Sequence, residues 1–588
     1  MGGGTGREGF GVRGALLVAA LLAACHQGQT VVPAPTLQDP PPPVPAGAST
    51  PVGSPPQVQA APPEKPLDPT PVDQRPPIAK PLEGVYTDKG AAEAKEPIRG
   101  LLGLPIRDQA ALEERVRAMY TPGGPDFRRY FAPQELIDAH APFERDVQVV
   151  SEWLVQNGLK VHAVSKNRLF IYFEGTAGAF NKAFGVTLRI LSRKSPQIGN
   201  PNHDVLGLNE GITVPTFIAE RTTGVVTLDL QEFDGRELPP EATPPPGLPK
   251  NLKDGYTPEQ IAHGYNLDAL WAQGFRGQGQ KLGVIVGGSY HLKDTRGFWK
   301  AFGINRADPV NVDLLEAPRL RIREANLDVQ WAGAMAPDAE LLVYRAPDAR
   351  NTSMIFVYNE LLSIAEVSVL TDSFAHREDS EPRLVRRAYS DASLWGAANG
   401  ITIAAASGDS AGVDVPSNSP YVTAVGGTLL GMDGNTRKWE IAWEHSGSGI
   451  SLQIDRPFWQ EGLTVEKDDG RNKRAVVDLA LNSGMGMWYV MLGKWYPNIG
   501  TSFASPIFAG MMAVVNSARA AQGKPHAGFL NQNLYTMPEV QGTFRDITDG
   551  YTSEEGWGGT PKYRARKGWD IPTGWGAPDA EGLVKTLP

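Results

Sequence analysis

The stretch NIGTSFASPIFAGMM, residues 498–512, places a serine, Ser502, directly after Gly-Thr. There an irregular, glycine-containing approach passes into a small-residue apolar run that reads as a buried helix. Nucleophilic serines are often held in this way. A serine hydroxyl is a poor nucleophile until a neighbour takes its proton, so the rest of the chain has to supply a base. Its nine histidines offer no obvious one.

At 588 residues the chain is long enough for several domains, each with a full core. A formal net charge of −9, without a dense Lys/Arg stripe, argues against nucleic acid as a main partner. The single cysteine excludes intramolecular disulfides and cysteine-rich zinc sites. That cysteine is Cys25, at the end of GVRGALLVAALLAAC, where Arg7 and Arg13 precede a short apolar run. These are the parts of an export signal, residues 1–25, too short for a membrane span. Leu-Ala-Ala-Cys resembles the bacterial lipobox, which implies cleavage before Cys25 and a lipid on its thiol as the membrane attachment. A plain secretory signal with an incidental cysteine is the competing reading.

Residues 26–90 are dominated by Pro, Ala and small polar residues and read as an extended, disordered tether. Residues 91–233 read as a compact unit. FERDVQVVSEWLVQNG sets Phe143, Val147, Val150, Trp153 and Leu154 on one helical face. Around it, IRGLLGLPI, LKVHAVS, RLFIYFEG and VTLRIL read as strands, and DQAALEERVRAMY and TAGAFNKAFG as helices. That order predicts a ferredoxin-like α+β domain. A second Pro-rich break at 234–255 is of the exposed kind that proteases cut. Beyond it, KLGVIVGG, AELLVYRAP, VSVLTDSFA and ITIAAASGD alternate with helix-length segments, so 256–588 reads as one α/β domain with a parallel sheet covered by helices on both faces. Function gathers beyond the carboxyl ends of such strands.

Subtilisin-like peptidases also set Gly-Thr-Ser before a helix, but they need an Asp ending an early strand and a His opening a later helix. The early strand here, LGVIVGGSY, has no Asp, and no histidine stands in a His-Gly-Thr setting. What stands instead is Glu324 and Asp328 in REANLDVQWAGAM, four apart and hence on one helical face. Two carboxylates at close range push their proton affinities apart, so one can serve as base while a proton stays between them. A solvated acidic face is the plainer alternative. Asp409, in AAASGDSAG, follows an apolar strand at the presumed cleft; alone, it would read as a turn former.

Together these residues resemble the sedolisin family, the serine-carboxyl peptidases. The resemblance covers about residues 91–588 and extends to PSNSPYVTAVGGT and GKPHAGFLNQNLY. It implies a subtilisin-like catalytic fold behind an activation prodomain that acts as intramolecular inhibitor, with cleavage in 234–255. It assigns Ser502 as nucleophile, Glu324 as base, Asp328 as its partner and Asp409 as oxyanion donor. Protein or peptide substrates and acid action follow, because a carboxylic-acid donor must keep its proton. The resemblance also implies one structural calcium ion at Asp546 and Asp570 with main-chain oxygens of Ile547, Arg566 and Gly568, a hard-cation set. Arg566 stands where the family usually has glycine. In LTDSFAHRED, Asp372, Phe374 and Ala375 replace the family's apolar residue, Trp and Gly. These departures suggest a second reading, a non-catalytic peptide-binding envelope protein; the four intact catalytic positions weigh against it. The expectation is an exported zymogen, anchored through Cys25, whose catalytic domain is released on activation; endo- and tripeptidyl-peptidase action both stay open.

Overall fold

A strand covered on both faces carries apolar residues on both, and five of the six residues of Lys281–Val286 are buried. In the computed structural model, which describes residues 66–74, 86–193, 204–207, 211–226, 243 and 247–588 except 469, 555 and 557, it lies within an eight-stranded sheet. The order is Val310–Val312, Glu340–Arg345, Lys281–Val286, Val369–Asp372, Thr402–Ala406, Thr423–Asp433 and Thr436–Ala442, with Leu479–Asn482 also paired to Thr423–Asp433. Only the pairing of Thr423–Asp433 with Thr436–Ala442 is antiparallel. Helices Arg323–Met335 and Thr501–Ala521 pack together on one face, and Asn351–Ile364 and Arg383–Ala398 pack together on the other. The signal segment with Cys25, most of the tether and most of 234–255 lie outside the described residues.

The N-terminal domain is built on a four-stranded antiparallel sheet ordered Lys160–Val164, Phe170–Thr176, Pro97–Gly103 and Gly224–Val226, the ferredoxin-like arrangement. Alternation along its strands divides their burial between two cores. Leu102, Ile171 and Phe173 pack with Val150, Trp153, Leu154, Phe180 and Phe184 of the domain's own helices. Leu101, Phe170 and Tyr172 instead join the catalytic-domain core, where the Tyr172 ring lies 5.8 Å from that of Phe356. Polar contacts fix the docking. Tyr120 Oη donates to the Ala397 carbonyl at 2.7 Å, Arg128 donates to Asn533 Oδ1 at 3.0 Å, and Arg99 bonds Asp348 at 3.0 Å and Glu316 at 3.2 Å.

Two expectations are corrected. VTLRIL does not complete the ferredoxin sheet: its residues from Arg189 onward form a strand, Arg189–Arg193, in a separate three-stranded sheet with Tyr86–Ala91 and Asp204–Gly207. Gly224–Val226 takes the fourth place, because it can hydrogen-bond the free edge of Pro97–Gly103. Nor is the tether free throughout. Pro71–Gln74 pairs antiparallel with Ile212–Pro215, and Tyr86–Ala91 belongs to the second sheet. Main-chain pairing of this kind depends on an available strand edge, which proline content does not reveal.

Candidate active site

The helix Thr501–Ala521 starts from Gly500 at φ 143°, a left-handed-side conformation that glycine adopts without strain. A Cβ on Gly500 would also stand 2.8 Å from Asp409 Oδ2. The reason is that Asp409 reaches across to this helix start. Its Oδ1 accepts the Thr501 N–H at 2.7 Å and the Thr501 hydroxyl at 3.0 Å, while Thr501 Oγ1 accepts the Gly408 N–H at 3.0 Å. Asp409 is thus both the end of a strand loop and the cap of the Ser502 helix.

Glu324 and Asp328 lie in the first two turns of Arg323–Met335, whose residues from Ala325 onward are all buried. The face is therefore no solvated acidic patch. The Ser502 hydroxyl lies close enough to the Glu324 carboxyl to favour its ionised form, while Glu324 Oε1 is buried without a hydrogen-bond partner among the described residues. Asp328 is fully buried, and its Oδ1 meets the Ser373 hydroxyl at 2.7 Å. Burial raises the proton affinity of Glu324; Ser502 and Arg323 pull it down, and Asp409 pushes it up. Burial raises Asp328 too, with Glu324 and Asp372 adding to it and Ser373 opposing. The two carboxyls titrate as a coupled pair, and Ser502 and Arg323 favour a charge on Glu324. Asp409 is reached by solvent yet deep among protein atoms, and this desolvation raises its proton affinity against the Thr501 hydrogen bonds.

All four positions expected from sequence thus come together at the carboxyl ends of the sheet strands. Three contributors were not foreseen: Ser373, Thr501 and His445. The His445 ring bonds the Asp409 main chain, and its charge favours ionised Asp409. Burial lowers the affinity of His445 itself for a proton. Among the described residues, this histidine serves the Asp409 side of the site and not Ser502.

At the C-terminal end, Asp546 Oδ2 accepts the Gly568 N–H at 2.9 Å and Asp570 Oδ2 accepts the Arg566 N–H at 2.8 Å, so the two expected loops adjoin. Asp570 is fully buried and pushed up to about 7 by burial, with Asp546 adding to the shift. Two neighbouring carboxylates among loop carbonyls, one of them fully buried, form a donor set that fits a hard divalent cation. No group of three or more His, Cys, Asp and Glu is arranged for a metal among the described residues, so a cation here needs main-chain oxygens. Arg566 keeps a negative φ, so the loop does not require glycine there.

Residues 85–230 match the family model of the pro-kumamolisin activation domain. The chain is 30% identical over 461 residues to kumamolisin of Bacillus sp. (strain MN-32), spanning 70% of this chain and 78% of that one. It is 28% identical over 545 residues to tripeptidyl-peptidase 1 of Bos taurus, spanning 85% and 93%. A solved structure of Pseudomonas sedolisin, a serine-carboxyl proteinase complexed with two molecules of pseudo-iodotyrostatin, is 25% identical with a TM-score of 0.49, covering 57% of this chain and 98% of that one. The fold, the serine with its carboxyl neighbours and the docked N-terminal domain define a serine-carboxyl peptidase made with an activation domain. The chain belongs to the sedolisin family, that of kumamolisin.

Proposed function

We propose that the chain is an acid-acting peptidase with a Ser-Glu-Asp triad, made as an exported, lipid-anchored zymogen. The contact of the Ser502 hydroxyl with the Glu324 carboxyl carries this reading. In hydrolysis Ser502 Oγ attacks the substrate carbonyl as Glu324 takes its proton, and Asp328 orients Glu324 through the shared charge of the pair. The Ser502 amide at the helix start and the protonated Asp409 carboxyl donate to the oxyanion. Glu324 then returns its proton to the leaving amine, and water repeats the sequence on the acyl-enzyme.

The docked N-terminal domain acts as the intramolecular inhibitor, held by a shared apolar core and by the Arg99 ion pairs. Surface pairs of this kind contribute about 1 kcal/mol or less each. Cleavage within 234–255 then separates the catalytic domain from the segment that carries Cys25, so acidification both activates and releases. The test is to express wild type and Ser502→Ala in a bacterium that processes lipoproteins and to acidify the membranes. Soluble C-terminal fragment that digests a denatured protein is expected from wild type alone. Equal release from both would assign the cut to another protease, and active full-length enzyme on the membrane would refute release.

Asp546, Asp570 and the carbonyls of Ile547, Arg566 and Gly568 would hold a calcium ion, whose contribution is to stability. A cation bound only by the native state at a hundred times its Kd adds about 2.7 kcal/mol. Chelation is expected to lower the thermal midpoint of wild type, and Asp570→Ala to start from the lower value and ignore chelation. An unchanged midpoint, with no metal in the purified protein, would exclude the ion.

A further inference from the structure

Pro506 lies inside the helix Thr501–Ala521, where a residue in that place would donate its N–H to the Ser502 carbonyl four residues back. Proline has no N–H, so this carbonyl loses its helical partner. The Ser373 hydroxyl stands in for it, 3.3 Å from the Ser502 carbonyl and 2.7 Å from Asp328 Oδ1. With Asp328 ionised, Ser373 donates to it. With Asp328 protonated, Asp328 donates to Ser373 Oγ and the Ser373 proton turns to the carbonyl. With Asp328 protonated, a single hydroxyl thus ties the helix of the base to the helix of the nucleophile. Two residues earlier on the strand, Thr371 Oγ1 pairs with Ser505 Oγ at 2.8 Å, so the same strand face is stitched to the same helix twice.

Asp372, between them, emerges on the opposite face of the sheet. It is 1% exposed, and its Oδ1 accepts the Phe374 N–H at 2.9 Å. Its Oδ2 is buried without a hydrogen-bond partner among the described residues. The titratable groups that face it are Tyr358 from Asn351–Ile364 and Tyr389 from Arg383–Ala398, and its charge also acts on Asp328 of Arg323–Met335 across the sheet. Burying a carboxyl among these groups is costly, and an apolar residue would avoid the cost. An apolar residue would also leave the Phe374 N–H without this acceptor at the turn, where the Ala375 N–H closes back on the Ser373 carbonyl at 3.1 Å.

We propose that Asp372 is a positioning residue for the triad: its hydrogen bond to Phe374 holds the turn that keeps the Ser373 hydroxyl on Asp328 and on the carbonyl freed by Pro506. The proposal rests on the triad reading given above. Burial pushes the Asp372 carboxyl up to about 7, so it is neutral in acid and keeps its acceptor oxygen. As pH rises through that value, a new negative charge forms near Asp328, strengthens its hold on a proton and disturbs the pair.

The test compares Asp372→Asn, Asp372→Leu, Ser373→Ala and the Asp372→Leu/Ser373→Ala double with wild type and Ser502→Ala. Each is expressed as the full chain, held in acid, where Ser502→Ala is expected to stay uncut, and assayed by initial rates on a quenched fluorescent peptide. Asp372→Leu and Ser373→Ala are each expected to lower kcat by about tenfold with KM within about twofold, and the double to fall no further than the worse single. Asp372→Asn keeps an acceptor and cannot ionise, so it should hold kcat within about threefold in acid and lose the part of the decline centred near 7. Wild-type kcat in Asp372→Leu, multiplying effects in the double, or an unchanged pH profile in Asp372→Asn would overturn the proposal. If Asp372→Leu does not fold, the Asp372→Asn profile decides alone. Full activity in Ser502→Ala would instead overturn the triad, whatever the Asp372 variants do.

Discussion

Ser502→Ala and Glu324→Gln each reduce peptide hydrolysis by at least about 10⁴-fold, and the double variant falls little further. The size follows from what is lost. Without Oγ no acyl-enzyme forms, and without the Glu324 carboxylate the hydroxyl keeps its proton. Neither residue acts alone, so their effects do not add. Glutamine preserves the volume of Glu324 and removes a charge that burial already disfavours, so Glu324→Gln folds normally and gains stability relative to wild type as pH rises from about 4.5 towards about 8. The sign follows from linkage. A buried carboxyl with raised proton affinity binds protons in the folded state that the unfolded chain has released, so the wild type loses stability with rising pH and the amide does not. Kinetics with thermal unfolding at acid and neutral pH check both halves. Near-normal turnover in either single variant would mean that the triad is misassigned.

Asp409→Ala lowers kcat by roughly 10²- to 10³-fold, the usual consequence of losing one oxyanion donor. It also removes the acceptor that caps Thr501, which costs about 1 kcal/mol of stability. Asp409→Asn separates the two roles, since its amide oxygen can accept the Thr501 N–H and its NH₂ can donate to an oxyanion without titrating. Asp409 donates only while protonated, so wild-type activity is present below its raised pKa and lost as pH climbs through it. The Asn variant should keep part of the rate and lose that part of the alkaline decline. The measurement is a pH profile of kcat for all three proteins beside their thermal midpoints. Asp409→Ala with wild-type kcat would remove Asp409 from the oxyanion site.

The proposed catalytic positions were legible because their signals are local. An i, i+4 pair of carboxylates needs only a helix, and Gly-Thr-Ser before an apolar run marks a helix start whatever surrounds it. The alternation of apolar strands with helices likewise announces a covered parallel sheet. Chain partition was legible less evenly. Proline content marked the tether but not the strand Pro71–Gln74 inside it, because that strand exists through an edge supplied by Ile212–Pro215.

What the sequence by itself determined was the set of candidate reacting groups and the two domain types. Tertiary structure alone decided how those groups are held and charged. Asp328 meets Ser373 across 45 residues, Asp409 caps Thr501 across 92, and Ser373 reaches the Ser502 carbonyl across 129. No periodicity encodes such contacts. Asp372 reads as a polar anomaly in a strand, and only the tertiary structure shows that it is buried and that its charge acts on Asp328. The face of the N-terminal sheet carrying Leu101, Phe170 and Tyr172 is apolar by alternation, but which surface it covers depends on the shape of helices that fold elsewhere in the chain. Proton affinity follows the same rule. A carboxyl's composition is written in the sequence, whereas its desolvation and its neighbours' charges exist only once distant segments have packed around it.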